Sequence, residues 1–145
     1  MERTLFDKDG NAIAYFSDDY NASIYLWDGS PVAYLHDDSH IFGFNGRHLG
    51  WFIDEIIYDN SGQRIGFTSS SCPVPTAKEP VKSKKYPMDQ IQSKWNAPPL
   101  PSLSFNSALQ DLADFLKQGR VPRFGEEKTA EEIVESEASD EATSD

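Results

Sequence analysis

One pattern recurs four times between residues 5 and 70 and constrains the fold more than any other feature of the chain. It reads Asp9-Gly10-Asn11-Ala12-Ile13-Ala14-Tyr15, Asp28-Gly29-Ser30-Pro31-Val32-Ala33-Tyr34, Asn45-Gly46-Arg47-His48-Leu49-Gly50-Trp51 and Ser61-Gly62-Gln63-Arg64-Ile65-Gly66-Phe67. After each glycine an aliphatic residue follows at the third position, Ala or Gly at the fourth and an aromatic at the fifth. A second aromatic followed by Asp or Asn precedes each turn, at Phe6-Asp7, Trp27-Asp28, Phe44-Asn45 and Tyr58-Asp59. A period this short holds one β-hairpin per repeat. A lone hairpin cannot bury its own apolar face, so the four must pack on one another.

Strand alternation predicts that Ile13 and Tyr15, Val32 and Tyr34, Leu49 and Trp51, and Ile65 and Phe67 share a face. The opposite face then carries Ala14, Ala33, Gly50 and Gly66, followed by Phe16, Leu35, Phe52 and Thr68. Both faces are largely apolar and are expected to be covered. Small residues recurring at one repeat position imply close approach near a pseudo-symmetry axis, or room for neighbouring aromatics. Asp28-Gly29 and Asn45-Gly46 predict two-residue type I′ turns, and the other two tips predict longer turns with a left-handed glycine. The first strand, around Leu5-Phe6, looks stubby and is expected at an edge or where the sheet closes.

The composition changes from Ser69. The chain divides into a β module at 1–71, a Pro/Lys-rich linker at 72–101, an apolar clip and helix at 102–119, and an acidic tail at 120–145. The linker is expected to be extended, with a helix or coil at 86–95 and a brief strand-like clip at Ser102-Leu103-Ser104-Phe105. Ser107 and Gln110 form a capping-box pattern. Leu109, Leu112, Ala113 and Leu116 make one stripe, which predicts an amphipathic helix over 106–118. The stripe needs a partner surface, and the hairpins offer the nearest one. From Gly125 the tail is Glu-rich and lacks aromatics, which predicts disorder, with a weak helix over 129–137 as the alternative.

The repeated unit resembles the bacterial 4-fold beta flower proteins. The resemblance rests on Tyr25-Leu26-Trp27-Asp28-Gly29-Ser30-Pro31-Val32-Ala33-Tyr34-Leu35 and Phe42-Gly43-Phe44-Asn45-Gly46-Arg47-His48-Leu49-Gly50-Trp51-Phe52. It covers about residues 5–70, with a looser echo in the linker and at Pro101-Ser102-Leu103-Ser104-Phe105. It implies a mainly β fold of four hairpin petals about a pseudo-fourfold axis, and it carries over no activity and no site residue. The helix and acidic tail depart from that pattern.

The 145-residue chain carries a net charge of −11, distributed unevenly. Residues 1–72 are net −7, residues 73–124 net +4 and residues 125–145 net −8. The Lys-rich linker is therefore expected near the acidic turns. An acidic chain is a poor fit to nucleic acid. No long apolar run suggests a leader or a membrane span. The single Cys72 offers no intrachain disulfide, so a cytoplasmic setting is expected.

Candidate chemistry is sparse. His36, Asp38 and His40 are of metal-ligating type, but on a turn their spacing fixes no geometry, so polar turn residues are the competing reading. The pairs Asp18/Asp19, Asp37/Asp38 and Asp54/Glu55 sit at the same end of their repeats. If they converge they could bind a cation or a basic partner, and they would raise one another's pKa; otherwise they are solvated turns. Cys72 and the Ser69-Ser70-Ser71 run lack a base, and no nucleotide fingerprint is present, so no catalytic residue and no cofactor is expected. The aromatic columns read as core ahead of a ligand platform. The leading expectation is a non-enzymatic binding or scaffold module with a protein partner. The runner-up is a small-ligand or cation-binding protein, or an enzyme, using the axis and its acidic turns.

Overall fold

The computed structural model describes residues 2–87 and 90–121. Eight strands form one closed antiparallel barrel in sequence order. They are β1 (Arg3–Phe6), β2 (Ala12–Phe16), β3 (Ser23–Leu26), β4 (Pro31–His36), β5 (His40–Gly43), β6 (His48–Ile53), β7 (Ile56–Asp59) and β8 (Arg64–Phe67). Each glycine-centred repeat is one hairpin, so the architecture is the expected mainly β, pseudo-fourfold flower. β1 is as long as β3, β5 and β7, and it pairs with β8 through Phe6 and Phe67 to close the ring.

The turns correct the expected register. All four tips have one hydrogen-bond pattern, in which the glycine N–H donates to the carbonyl three residues before it, at Asp7, Leu26, Gly43 and Asp59. Of the tip residues only the glycine is left-handed: Gly10, Gly29, Gly46 and Gly62 have φ between 83° and 95°. The two-residue turns with both central residues left-handed lie between petals instead, at Asp37-Asp38 and Asp54-Glu55. Counting back from the glycines, the equivalent aromatics are Phe6, Tyr25, Phe42 and Tyr58, all at most 5% exposed. Trp27 and Phe44 occupy the tip positions held by Lys8 and Asn60 in the other petals.

A register shift recurs in each hairpin, between Leu5/Phe6, Ile24/Tyr25, Ile41/Phe42 and Ile57/Tyr58. The extra residue opposite is Ile13, Val32, Leu49 or Ile65. A bulge interrupts the two-residue alternation. Val32, Leu49 and Ile65 therefore join Ala14 and Ala33 in the central core, with Ile13 packed against it, instead of following Tyr34, Trp51 and Phe67.

The helix is shorter than its stripe predicts. α1 spans Leu112–Lys117, with Asp111 at its N-cap making no side-chain cap bond. Residues 106–108 are held by the sheet edge instead: Arg64 N–H donates to Asn106 O, Ala108 N–H donates to Arg64 O, and Ser107 bridges Arg64 in parallel. Ser107 is thereby unable to cap a helix, and Leu109 is 96% exposed. α1 crosses the tip-end mouth, resting on β2, β4 and β8, and buries Leu112, Phe115 and Leu116 in the barrel core. Its C-terminal turn is fastened by Asn45, whose Nδ2 donates to Gln118 O at 2.8 Å and whose N–H donates to Gly119 O at 3.2 Å. At the other end Phe16 and Phe52, from strands on opposite sides of the ring, meet edge-to-face at 5.0 Å. The axis is packed from both ends.

Residues 72–106 form no strand or helix where they are described. They encircle the petal tips as a belt. Ala77, Tyr86, Trp95 and Ser104, nine residues apart, donate N–H bonds to the carbonyls of Gly10, Gly29, Gly46 and Gly62 in turn. Ser102-Leu103-Ser104-Phe105 is the last quarter of this belt, not a strand. The residues expected to be a disordered tail or a weak helix lie, from 122 on, outside the described residues.

The small column makes room for the helix. A Cβ at Gly50 would overlap the Tyr58 carbonyl and lie 3.0 Å from Phe115, whereas at Gly66 it would meet only side chains, with Leu112 Cδ1 at 2.9 Å. Gly50→Ala is therefore expected to destabilise by about 1–3 kcal/mol or more, and Gly66→Ala by less, because side-chain ends yield where backbone does not. Denaturant titration of both variants measures the order.

Candidate functional site

An antiparallel ring puts the four tips at one end and the inter-petal turns at the other. The acidic turns thus share one end, where one carboxylate of each pair is engaged by another group. Asp19 Oδ1 accepts the Ser23 N–H at 2.9 Å, and Asp37 pairs with His36 Nε2 at 3.4 Å. Glu55 pairs with Arg3 and accepts the Thr68 hydroxyl at 3.1 Å. The Arg3 hydrogen bond holds the Glu55 carboxyl below the usual carboxylate range, opposite to the mutual raising expected of converging acids. Arg3 also lies 5.5 Å from the Phe52 ring centroid and 5.9 Å from that of Phe16, over the closed end of the axis.

His36 and His40 face each other across β4 and β5, with ring centroids 6.5 Å apart. Asp38 sits in the left-handed turn between them. Among the described residues no three His, Cys, Asp or Glu side chains gather to hold a metal ion. Cys72 is a free thiol packed beside Ile56, Tyr58 and Phe67, and its Sγ lies 3.6 Å from Asp7 O.

The outer barrel face carries aromatics in petal-to-petal groups. Tyr15 stacks on Tyr25 and meets Trp27 edge-on, and Tyr34 stacks on Phe42 and Phe44. Beside Trp51 and Phe42 lies a histidine pair: His40 Nδ1 is 3.1 Å from His48 Nε2, and His48 Nδ1 is 3.2 Å from Asn60 Oδ1. Asn60 Nδ2 donates to His48 O, which leaves its Oδ1 as the acceptor. His48 therefore donates from Nδ1 and, when neutral, accepts from His40 at Nε2. Burial pushes the His48 pKa down, the Asn60 hydrogen bond opposes that, and His40 adds to it.

The belt supplies a second set of polar contacts. Lys82 and Lys85 both grip Glu2, at 2.8 and 3.0 Å, while lying over the Tyr15 and Tyr25 rings at 4.5 and 5.0 Å. Hydrogen bonds from Lys82 and Lys85 lower the Glu2 pKa, and the bond to Glu2 raises that of Lys85. The Lys-rich segment thus meets Glu2 and the aromatic face, with Lys85 reaching the acidic end only as far as the Ser17 hydroxyl. Further out, Tyr86 and Trp95 remain 49% and 60% exposed. Lys78, Lys84 and Lys94 make no ion pair among the described residues. An open groove at the second tip is lined by Asp28, Ser83, Lys84, Lys85, Tyr86 and Pro87. Sequence reasoning missed this strip because its nine-residue recurrence is a recurrence of backbone contacts. The contacting residues, Ala77, Tyr86, Trp95 and Ser104, share no side-chain type.

The sequence model of a family described as "4-fold beta flower protein" matches residues 3–116. That span takes in all eight strands, the belt and all but the last residue of α1. The helix, which departs from the repeat pattern, is thus part of the matched unit. No curated protein and no solved structure matches the chain. No helix among the described residues is long and apolar enough to cross a membrane.

His48 sets a pH dependence of stability. Its folded pKa is depressed, so the unfolded chain takes up the proton more readily. Stability is full above the unfolded value of about 6.5 and falls with pH down to the folded value. The slope contributed in that window is at most one proton's worth, about 1.4 kcal/mol per pH unit. His48→Gln should flatten this part of the profile when unfolding free energies are measured between neutral and mildly acidic pH.

Proposed function

The chain belongs to the 4-fold beta flower family, and from that premise we propose that it is a non-enzymatic scaffold whose belt binds a protein partner. The reading is carried by the packing of the axis. α1 fills the tip-end mouth and Phe16 with Phe52 fills the other end, so the barrel interior is core. Binding then falls to the outside, where Tyr86 and Trp95 stand exposed beside Lys84 and Lys94. Aromatic side chains flanked by cations are typical anchors of protein interfaces. The partner chemistry that fits is an acidic segment carrying aliphatic residues. The acidic turns support the cation-binding alternative less well, since Asp19, Asp37 and Glu55 already have partners. A cytoplasmic setting agrees with the single free thiol of Cys72.

Immobilised full-length chain tests the reading through differences between variants. Tyr86→Ser/Trp95→Ser should abolish capture of the partner while leaving the barrel folded by thermal melt, because neither side chain belongs to the buried core. Asp37→Asn/Asp38→Asn should leave capture unchanged. Capture indifferent to the belt variant, or lost with the turn variant, would overturn the proposal.

A further inference from the structure

We infer that in the free chain the belt strip is occupied by the chain's own C-terminal acidic segment, residues 126–137. The inference rests on the belt reading above and names an occupant for it. The first ground is where the described chain ends. Val121, like Ile91, packs against the Tyr34, Phe42 and Phe44 cluster between the second and third petals, and it shares a surface groove with residues 90–93 of the belt. The two exposed belt aromatics flank this point: Tyr86 binds the second tip and Trp95 the third. The chain therefore leaves the barrel between the two halves of the strip.

The second ground is complementarity. Residues 73–124 are net +4 and residues 125–145 net −8. Within the acidic segment, Glu131-Glu132-Ile133-Val134-Glu135 is an aliphatic pair bracketed by carboxylates. That arrangement matches exposed aromatics that each follow a lysine, Tyr86 after Lys84 and Trp95 after Lys94, two lysines with no ion pair among the described residues. The third ground is reach. Ile133 follows Val121 by 12 residues, which span up to about 40 Å when extended. A segment too poor in apolar residues to fold alone can still order against a ready surface. Tethering supplies a high effective concentration, so weak contacts suffice. An external partner of the same chemistry must then displace the segment.

The test uses the full-length chain and a full-length variant carrying Glu131→Gln, Glu132→Gln, Ile133→Ser and Val134→Ser. A carbodiimide, which joins a lysine amine to a carboxylate in direct contact, is applied at dilute protein concentration, and the monomer is digested and sequenced by mass spectrometry. Cross-links from Lys84 or Lys94 to Glu131, Glu132 or Glu135 are expected in the parent. In the variant the Glu135 link should be largely lost, and the Trp95 indole resonance should shift. An absence of such cross-links in the parent, or a Glu135 link and a Trp95 resonance that the variant leaves unchanged, overturns the inference. The belt reading is judged separately. If the tail does not dock but Tyr86→Ser/Trp95→Ser still abolishes capture, only the occupant is wrong. If capture ignores those substitutions, the belt reading itself falls.

Discussion

Everything in this fold depends on four hairpin tips whose glycines let a second segment of backbone come close. At Gly29 a Cβ would overlap the Lys84 carbonyl, and the other tips repeat the contact with Pro75, Ser93 and Ser102. These partners are nine residues apart, one for each petal. A left-handed glycine closes the turn and turns its own carbonyl toward the belt. Because the tips recognise backbone, the belt is free to vary its side chains, and it has Ala77 at one tip and Trp95 at another. The belt in turn delivers α1 to the mouth. A six-residue helix has no stability of its own; burying Leu112, Phe115 and Leu116 is worth roughly 1.5–3 kcal/mol each.

Two further devices shape the axis. The recurrent bulges place Val32, Leu49 and Ile65 in the same core as the small column, widening the apolar lining just below the mouth. The small residues then leave space that Leu112 and Phe115 fill. Electrostatics play a smaller part. Glu2 with Lys82 and Lys85 clips the belt to the start of the chain, but these groups are about one-third exposed, and such pairs contribute about 0–1 kcal/mol. Backbone hydrogen bonds to the tips hold the belt, apolar burial holds the helix, and the charges orient them.

The hairpins, their number and the flower arrangement were legible because a glycine followed by aliphatic, small and aromatic residues directly encodes a turn and a strand. The pairing of faces was less so. Alternation assigns Val32 to the side of Tyr34, and a single extra residue in the strand reverses that assignment. The aromatic columns were misaligned at Trp27 and Phe44 because aromatic–acid dipeptides occur at different distances from the turn glycine. Helix pattern and capping residues were visible at Ser107 and Leu109, yet Arg64 takes the backbone groups there for the sheet. The acidic turns were correctly grouped at one end. Of their partners, Ser23 and His36 lie within four residues in sequence, whereas Arg3 reaches Glu55 through a tertiary contact that turn composition does not encode. The belt strip, the surface proposed to bind a partner, showed only as a loose echo of the repeat, because its contacts with the tips are made by backbone.

The central claim is that belt and barrel form one cooperative structure rather than a barrel with a trailing linker. Native-state hydrogen exchange on the full chain measures this at the amides of Ala77, Tyr86, Trp95 and Ser104, each bonded to a tip glycine carbonyl. The account predicts that all four are protected and share one opening free energy with Phe115 in α1, because the belt cannot leave without withdrawing the helix. Exchange at the rate of an unfolded peptide at these four amides, with the barrel strands still protected, would contradict it.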